Sequence, residues 1–452
     1  MNKVIYIQFQ TVPILGVREN HYLKENIIKN LKQYPYWWEG NNSFFSGKKE
    51  VPTQVDVLII GGGYTGLCAA LATSEIGAHT LVIDKANPGQ GASTRNVGMF
   101  GAHPRVSWEK VKNTFGEIVA DAIFEEAPIA LTFVRDIIQK NKIKCDFHNS
   151  GRIQLAWTKD HFTSQKKMAE NISRKSDAKI DILEKKDLSE YISTEKYFGG
   201  IHFSEHCSLN PKKFHDGLIN LALNKGVQIN SNIEAKRIDR NNKKWTVFLS
   251  NGRSISTSKI IMATNGYTGN NFPWFFRRVF PIPSYIIVTE ELSDYFIRSL
   301  IPSNKILVET RSKHSYFRKS PDNRRIIFGG RASMLNIPNE KATSRLKETM
   351  IEIWPKMKEI NIDYSWSGNT GFTFNQLPHV GRINKINYAM GFCGSGTVLS
   401  PYLGYKVGYQ AMGDKRGATA YSSTNLKFSP LNFFSKPYFL NFLDIWTRLK
   451  SW

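Results

Sequence analysis

The chain has 452 residues, 41% of them apolar, and a formal net charge of +23. That length exceeds one simple hydrophobic core and points to two domains, and the ordinary apolar share excludes a fibrous or wholly disordered chain. The 61 lysines and arginines are spread along the sequence, with no block of like charge to mark a nucleic-acid tail.

Four cysteines occur, Cys68, Cys145, Cys207 and Cys393. None forms a Cys-x-x-Cys pair, so neither a zinc site nor a thioredoxin-like site is suggested. Scattered single cysteines indicate reduced thiols and a cytoplasmic setting. Gln8 and Gln10 interrupt the apolar N-terminus and no small-residue cleavage site follows, so no signal peptide is expected. No run of 18 apolar residues occurs, so no membrane span is expected.

Residues 1–54 read as an N-terminal arm. Its aromatic cluster, Tyr34-Pro35-Tyr36-Trp37-Trp38, suits a plug that packs the arm onto the body. From Val55 the pattern is a strand, VDVLIIGGG, a helix, YTGLCAALATSEIG, and a strand, HTLVIDK, which together make a βαβ unit. Helical periodicity dominates 107–141 and parts of 160–192. A helix, NPKKFHDGLINLALNKG, leads into the strand-like VQINSNIEAKRID. WTVFLSNG and ISTSKIIMATNG read as a hairpin and a buried strand. Residues 280–365 mix strands (YIIVTEE, RIIFGGR) with a helix near 343–359. The last 30 residues are aromatic and basic and read as a tail packed on the body.

Gly61-Gly62-Gly63-Tyr64-Thr65-Gly66 fits G-x-G-x-x-G, after a strand and opening a helix. In that context Gly61 permits the tight turn, Gly63 lets a pyrophosphate approach the backbone, and Gly66 lets helix and strand pack closely. The helix N-terminus then offers unpaired N–H groups to the phosphates. Asp84, 18 residues after Gly66, ends the next strand and is placed to accept from ribose hydroxyls. Fingerprint and acid alone do not separate NAD from FAD. The polar, glycine-rich GQGASTRNVGM that follows favours FAD, because an NAD domain would continue into another regular helix. Its Ser93, Arg95 and Asn96 are candidates to line an extended cofactor. Ile260–Gly266 is an apolar strand ending in small residues, suited to passing close to a cofactor. Gly391-Phe392-Cys393-Gly394-Ser395-Gly396-Thr397 is a second glycine-rich loop, and Ser400-Pro401 suits the start of a helix after it. A helix N-terminus there would stabilise an anionic reduced flavin.

The stretches PYWW, DVLIIGGGYTGLCAAL, GASTRNVGM, SLNPKKF, ATNGY, RIIFGGR, SWSGNTGFTFNQLPHVGR and YAMGFCGSG together resemble the FAD-dependent amine and D-amino-acid oxidase (DAO-like) family, which includes sarcosine oxidase and glycine oxidase. The gamma-glutamylputrescine oxidase-like members are the most similar. The resemblance spans roughly 35–412. It implies an α/β fold: an FAD-binding, Rossmann-like domain of the glutathione-reductase type, with a second α+β substrate domain of mixed or antiparallel sheet. The expected segments are 55–100, 205–270 and 366–415 for the FAD domain, 101–204 and 271–365 for the substrate domain, and a tail at 416–452. The cofactor residues it implies are Gly61, Gly63, Tyr64, Thr65 and Gly66, then Asp84 and Lys85, then Ser93, Arg95, Asn96 and Gly98. Ala235, Gly266, Gly394, Ser395, Gly396 and Thr397 complete them. Two positions depart from the family's pattern. Val97 stands where Gly is common, and Ser395 where His is frequent. Family members that bind flavin covalently use a Cys, aligned here with about Gly368, or a His, where this chain has Arg95 and Asn96, so non-covalent FAD is expected.

The implied reaction is oxidation of a C–N bond in a small amine or amino acid, with oxygen or an electron carrier as final acceptor. On the substrate side His314, Tyr316 and Arg318 share one face at strand spacing, and Arg318 or Arg331 is a candidate to hold a carboxylate. These four are the candidate catalytic residues. His103, His202 and His206 read as ordinary histidines, and no constellation suggests a metal. Two other readings stay open: a flavin enzyme acting on an alcohol or a tRNA base, and a flavoprotein subunit that needs a partner.

Overall fold

The computed structural model describes residues 31–40, 45, 50–101, 103–241, 244–312, 314–424 and 426–427. Most of the expected arm and tail therefore lies outside the described residues. The aromatic cluster lies inside them and packs as a plug. Trp37 is buried and donates through Nε1 to the Asn96 carbonyl at 2.8 Å, and Trp38 Nε1 donates to Thr94 Oγ1 at 3.0 Å.

In chain order the first elements are β1 (Gln54–Ile60), α1 (Tyr64–Glu75), β2 (Thr80–Ile83) and β3 (Met99–Phe100). They are followed by α2 (Trp108–Phe115), α3 (Glu117–Lys140), β4 (Arg152–Leu155), α4 (Lys159–Lys175), β5 (Ile180–Glu184), β6 (Gly199–Phe203) and β7 (Cys207–Ser208). Next are α5 (Pro211–Asn224), β8 (Gln228–Asn230), β9 (Ala235–Asn241), β10 (Lys244–Leu249), β11 (Ser254–Met262), α6 (Pro273–Phe276), β12 (Phe280–Thr289) and α7 (Asp294–Arg298). The chain ends with β13 (Ile306–Glu309), β14 (Tyr316–Lys319), β15 (Ile326–Gly330), α8 (Asn339–Ile353), β16 (Ile362–Phe372), β17 (His379–Ile383), β18 (Ile386–Met390) and α9 (Gly396–Met412).

Two eight-stranded sheets organise the described residues. The first runs β17-β18-β11-β1-β2-β8, with β9 and β10 continuing from β11 as an antiparallel flap. Its central strands β18, β11, β1, β2 and β8 are parallel. Parallel strands covered on both faces are apolar throughout, and the last four residues of β1 are all buried. The second sheet runs β16-β12-β15-β14-β13-β4-β6-β5 and is antiparallel except for β4 beside β13. Helix α8 covers it, burying Leu346, Met350 and Ile353 against Phe317, Phe328 and Trp354. The sequence boundary placed at 366 falls inside β16, which pairs with β12 along its whole length. The chain leaves the second sheet only after Phe372, because the ladder partners of 366–372 all lie on β12.

Helices α1 and α9 pack against each other under the first sheet, both buried nearly all round. The contact depends on two glycines four apart on α9. A Cβ at Gly404 would lie 2.5 Å from the Thr65 carbonyl oxygen, and one at Gly408 2.7 Å from that of Ala69. Small residues therefore let the two backbones touch, with Gly404 of α9 beside Thr65 at the start of α1, so α9 begins about two turns ahead of α1. Helix α9 begins at Gly396 with Ser395 as N-cap, and Ser400-Pro401 lies inside it rather than at its start. Pro401 has no N–H to donate to the Thr397 carbonyl one turn back, and the Ser400 hydroxyl separately donates to the Gly396 carbonyl. Among the described residues no helix is long and apolar enough to cross a membrane.

Candidate active site

At the C-terminal ends of β1, β2 and β11 lies a groove of about 450 Å³. Ligands of open parallel sheets bind at this edge, where helix N-termini converge. The turn between β1 and α1 forms its floor. Gly61 has φ +111°, and a Cβ there would meet the Ala263 carbonyl oxygen at 2.8 Å. A Cβ at Gly66 would lie only 1.8 Å from the Gly61 carbonyl oxygen, so helix and turn are in backbone contact. Gly63, Tyr64 and Thr65 line the groove at the N-terminus of α1. The Ser93 hydroxyl accepts from the Tyr64 amide at 3.0 Å, tying the 92–98 turn to that helix end.

Asp84 lines the groove beside Lys85. Its carboxylate accepts from the Gly62 amide at 2.7 Å and the Ala86 amide at 3.0 Å. A carboxylate has about four acceptor positions, so two stay available to ribose hydroxyls. Burial raises the Asp84 pKa, while the Ala86 and Gly62 amides and the Lys85 ammonium pull it down. Lys85 Nζ donates to the Tyr267 carbonyl at 3.1 Å. Ala235 also lines the groove, its carbonyl accepting from Asn271 Nδ2 at 2.8 Å.

At the other end the groove meets a second cavity of about 140 Å³. The two share Ala92, Arg95, Asn96, Thr370, Gly394 and Thr397. Arg95 is fixed there: its Nε donates to the Gln90 carbonyl at 2.7 Å, its NH1 to the Ser367 carbonyl at 3.1 Å, and its guanidinium stacks 4.6 Å from the Trp38 ring. The N-terminus of α9 reaches this junction through Gly396 and Thr397. Peptide dipoles give that end a partial positive charge.

The second cavity lies against the second sheet. Tyr316 on β14 lines it, its hydroxyl 2.5 Å from Ser284 Oγ on β12. His314 precedes β14 with φ +49° and also lines it. Burial, then the Arg105 and Arg331 charges, push the His314 pKa down to about 3, so the imidazole is neutral. Arg331, just after β15, lines the same cavity, and burial followed by the Arg105 charge lowers its pKa to about 10.

Four of the sequence-based candidates do not line either cavity. Arg318 does not reach either cavity, although it shares a face with Tyr316 as expected. Its NH1 donates to the Leu209, Gly98 and Val97 carbonyls at 3.2, 3.3 and 3.4 Å, and its Nε to the Lys319 carbonyl at 3.0 Å. Gly98 is absent from the groove lining. A Cβ there would lie 1.9 Å from the Leu209 carbonyl oxygen, so the glycine serves the crossing of β3 and β7. Gly266 packs on the Gly371 backbone, and its neighbours Asn265 and Tyr267 line the groove instead. Ser395 stands at the N-cap position of α9 with no side-chain capping bond, while Gly394, Gly396 and Thr397 form the wall. Asn96 does line both cavities, but its side chain bonds the Ala92 and Ser93 carbonyls and the Gly98 amide, so it braces its own turn.

Sequence reasoning missed Arg105, whose side chain reaches the second cavity from the loop before α2. It also missed Thr370 and Phe392. The paired glycine-rich segments were the available signal for Phe392. Nothing periodic marks Arg105.

A model of the DAO family, described as FAD dependent oxidoreductase, matches residues 56–410. The chain belongs to this family. This DAO-family chain is similar to a probable oxidoreductase OrdL of Haemophilus influenzae, 27% identical over 395 residues, with 84% of this chain and 88% of the relative covered. It is also similar to the gamma-glutamylputrescine oxidoreductase of Escherichia coli, 25% identical over 379 residues, covering 81% and 86%. Glycine oxidase from Geobacillus kaustophilus superposes with a TM-score of 0.69 at 16% identity, covering 84% of this chain and 99% of that one. L-proline dehydrogenase from P. horikoshii gives 0.67 at 17% identity, covering 82% and 98%. This member is therefore an FAD-dependent oxidoreductase of α/β fold. The groove fits FAD on its own chemistry: backbone-contact glycines at the turn, a carboxylate with two acceptor positions left, and two helix N-termini turned towards it.

Proposed function

We propose that the protein oxidises the C–N bond of a small primary or secondary amine or amino acid. The observation that carries the reading is the second cavity, closed on one side by the flavin end of the groove and furnished with cations but, among the described residues, no lining carboxylate. Bound FAD supplies a two-electron acceptor for the hydride leaving the carbon beside nitrogen. The nitrogen loses its proton to solvent, and water converts the resulting imine to a carbonyl compound and ammonia, or an amine where the substrate is secondary. A cavity bearing Arg331 and neutral His314 disfavours an ammonium ion, so the amine enters as its neutral base. Arg331 offers a planar fork for a substrate carboxylate. Tyr316 and Ser284 hold a hydroxyl pair on the adjoining wall. A fixed carboxylate fixes the neighbouring C–H, which is worth much of the barrier.

The relatives' names support the amine class, since one is a gamma-glutamylputrescine oxidoreductase and a structural neighbour is a glycine oxidase. We further read the first sheet with its helices as the cofactor half and the second sheet as the substrate half. FAD bound non-covalently, a cytoplasmic setting consistent with four buried unpaired cysteines, and oxygen or an electron carrier as acceptor complete the proposal. The test is an anaerobic panel in which purified holoprotein is mixed with secondary amines, polyamine derivatives and amino acids while flavin absorbance is followed. Bleaching by at least one amine is expected. Bleaching by none of them, with alcohols or a protein partner active instead, would overturn the reading.

A further inference from the structure

Three guanidinium groups line the second cavity and the described residues supply an acid to none; Arg95 is held by the Gln90 and Ser367 carbonyls, which leaves Arg105 and Arg331. Arg105 sits 5.5 Å from the centre of the Phe372 ring, and a Cβ at Gly394 would lie 3.3 Å from its NH1, so it stands at the flavin end. Arg331 enters from the end of β15. Among the described residues neither has a hydrogen-bond or ion-pair partner, and no Asp or Glu lines the cavity. Two arginines beside strands of the same sheet are paired with acids. Arg311 meets Glu309 and Glu352, and Arg325 meets Asp363 and Glu291. Behind the wall Arg152 adds a further charge with no acid beside it, bonded to His103 at 2.9 Å and stacked 4.5 Å from the Phe203 ring. The Arg105, Arg331 and Arg152 charges all act on His314.

We propose that the substrate is an amino dicarboxylate, with one carboxylate on Arg331 and the second on Arg105. This assignment rests on the amine-oxidation reading and narrows it. Arg105 is exposed and Arg331 half-buried, so a ligand that fills the cavity takes both from water, and one that balances their charge gains affinity. With His314 and Tyr316 neutral and Arg95 tied to the Gln90 and Ser367 carbonyls at the junction with the cofactor groove, the two arginines without protein partners bring two positive charges to the substrate. A monocarboxylic amino acid oxidised as its neutral base brings one negative charge and leaves a guanidinium uncompensated. A dicarboxylate brings two. A polyamine adds cations to a cation-lined space and is rejected. The chemistry balances as before: a hydride to the two-electron acceptor that FAD would supply, a proton to solvent, and water across the imine to give an oxo acid with ammonia from a primary amine, or with a smaller amine or amino acid from a secondary one.

The experiment uses holoprotein under anaerobic conditions. Flavin reduction by iminodiacetate and by both enantiomers of aspartate and glutamate is compared with reduction by sarcosine, glycine and putrescine. At least one dicarboxylate should show a ratio of reduction rate to Kd about ten- to 100-fold above its monocarboxylic counterpart, the factor that one added charge-assisted pair supplies. A second readout needs no turnover. Malonate and succinate should perturb the oxidised flavin spectrum at concentrations about tenfold or more below acetate and propionate. Arg105→Met and Arg331→Met should each weaken that binding, and Arg105→Lys should restore part of it. Equal reduction by mono- and dicarboxylates, a preference for putrescine, or malonate binding unaltered in Arg105→Met would overturn the dicarboxylate assignment while leaving amine oxidation intact. Malonate binding that needs both arginines, in a protein reduced by no amine, would support the dianion site and sink the amine reading.

Discussion

Gly66→Ala is the most incisive perturbation of the cofactor turn. An alanine Cβ would sit 1.8 Å from the Gly61 carbonyl oxygen. Carbon and carbonyl oxygen ordinarily approach no closer than about 3.3 Å, so roughly 1.5 Å must open between α1 and the turn. Both sides are backbone, so no flexible side chain can absorb the strain. A phosphate hydrogen bond of about 2.9 Å stretched by that amount passes 4 Å and is lost. Losing one charge-assisted bond costs about 1.5–3 kcal/mol, which corresponds to a roughly ten- to 150-fold rise in the Kd for FAD. The assay titrates apoprotein with FAD and follows quenching of flavin fluorescence, alongside thermal unfolding of the apoprotein. Gly77→Ala is the control, because Gly77 has φ +85° and nothing within 4 Å of its added Cβ. It should cost about 1–2 kcal/mol of stability through backbone strain alone and leave the FAD affinity unchanged. A Gly66→Ala variant that binds FAD within about twofold of wild type would show that the helix–turn contact does not hold the phosphate site.

Arg318→Met should lower global stability by about 2–4 kcal/mol, since it strands several buried carbonyls, and should barely change the KM of any substrate. A raised KM at unchanged Tm would return Arg318 to the substrate site. Acid precipitation should release all the flavin into the supernatant, because Gly368 and Arg95 stand where family members carry their linking residues; yellow pellets after washing would contradict this. Burial holds His215 and His379 neutral with pKa values of about 4, below the ordinary 6.5. Between pH 6.5 and pH 4 the unfolded chain binds protons that the folded chain does not, so stability is full above this window and lost as pH falls through it. Each histidine then forfeits about 1.4 kcal/mol per pH unit. Urea unfolding at pH 7 and pH 5 measures the slope, and His215→Asn should flatten it.

The βαβ start was readable because each of its signals is local. Val55–Ile60, the glycine turn and Asp84 lie within some thirty residues, and the structure places them at one groove. The second glycine loop was readable through its composition, yet the start of α9 was misplaced. Ser400-Pro401 has the residue types of a helix N-terminus, and only the packing of α9 on α1 keeps those residues inside the helix. Tyr316 and Arg318 were rightly put on one face by strand periodicity. Periodicity says nothing about what faces them, and the carbonyls that claim Arg318 come from residues 97, 98 and 209. Arg105 was invisible for the same reason in reverse. Its loop has no pattern, and its role arises from where β12, β14 and β16 converge.

The strand order also sets a schedule for synthesis. β11 lies between β1 and β18, so the middle of the parallel sheet joins segments whose starts are roughly 330 residues apart. At about 5–20 residues per second a ribosome needs on the order of 15–65 s to deliver β18 after β1. During that interval the bare edge of β11 and the small-residue face of α1 wait for partners that have not yet been made. Only when α9 emerges and lays Gly404 and Gly408 on α1 does the groove gain its second helix terminus. The nascent chain therefore completes its flavin cradle only once α9, which ends at Met412, has left the ribosome.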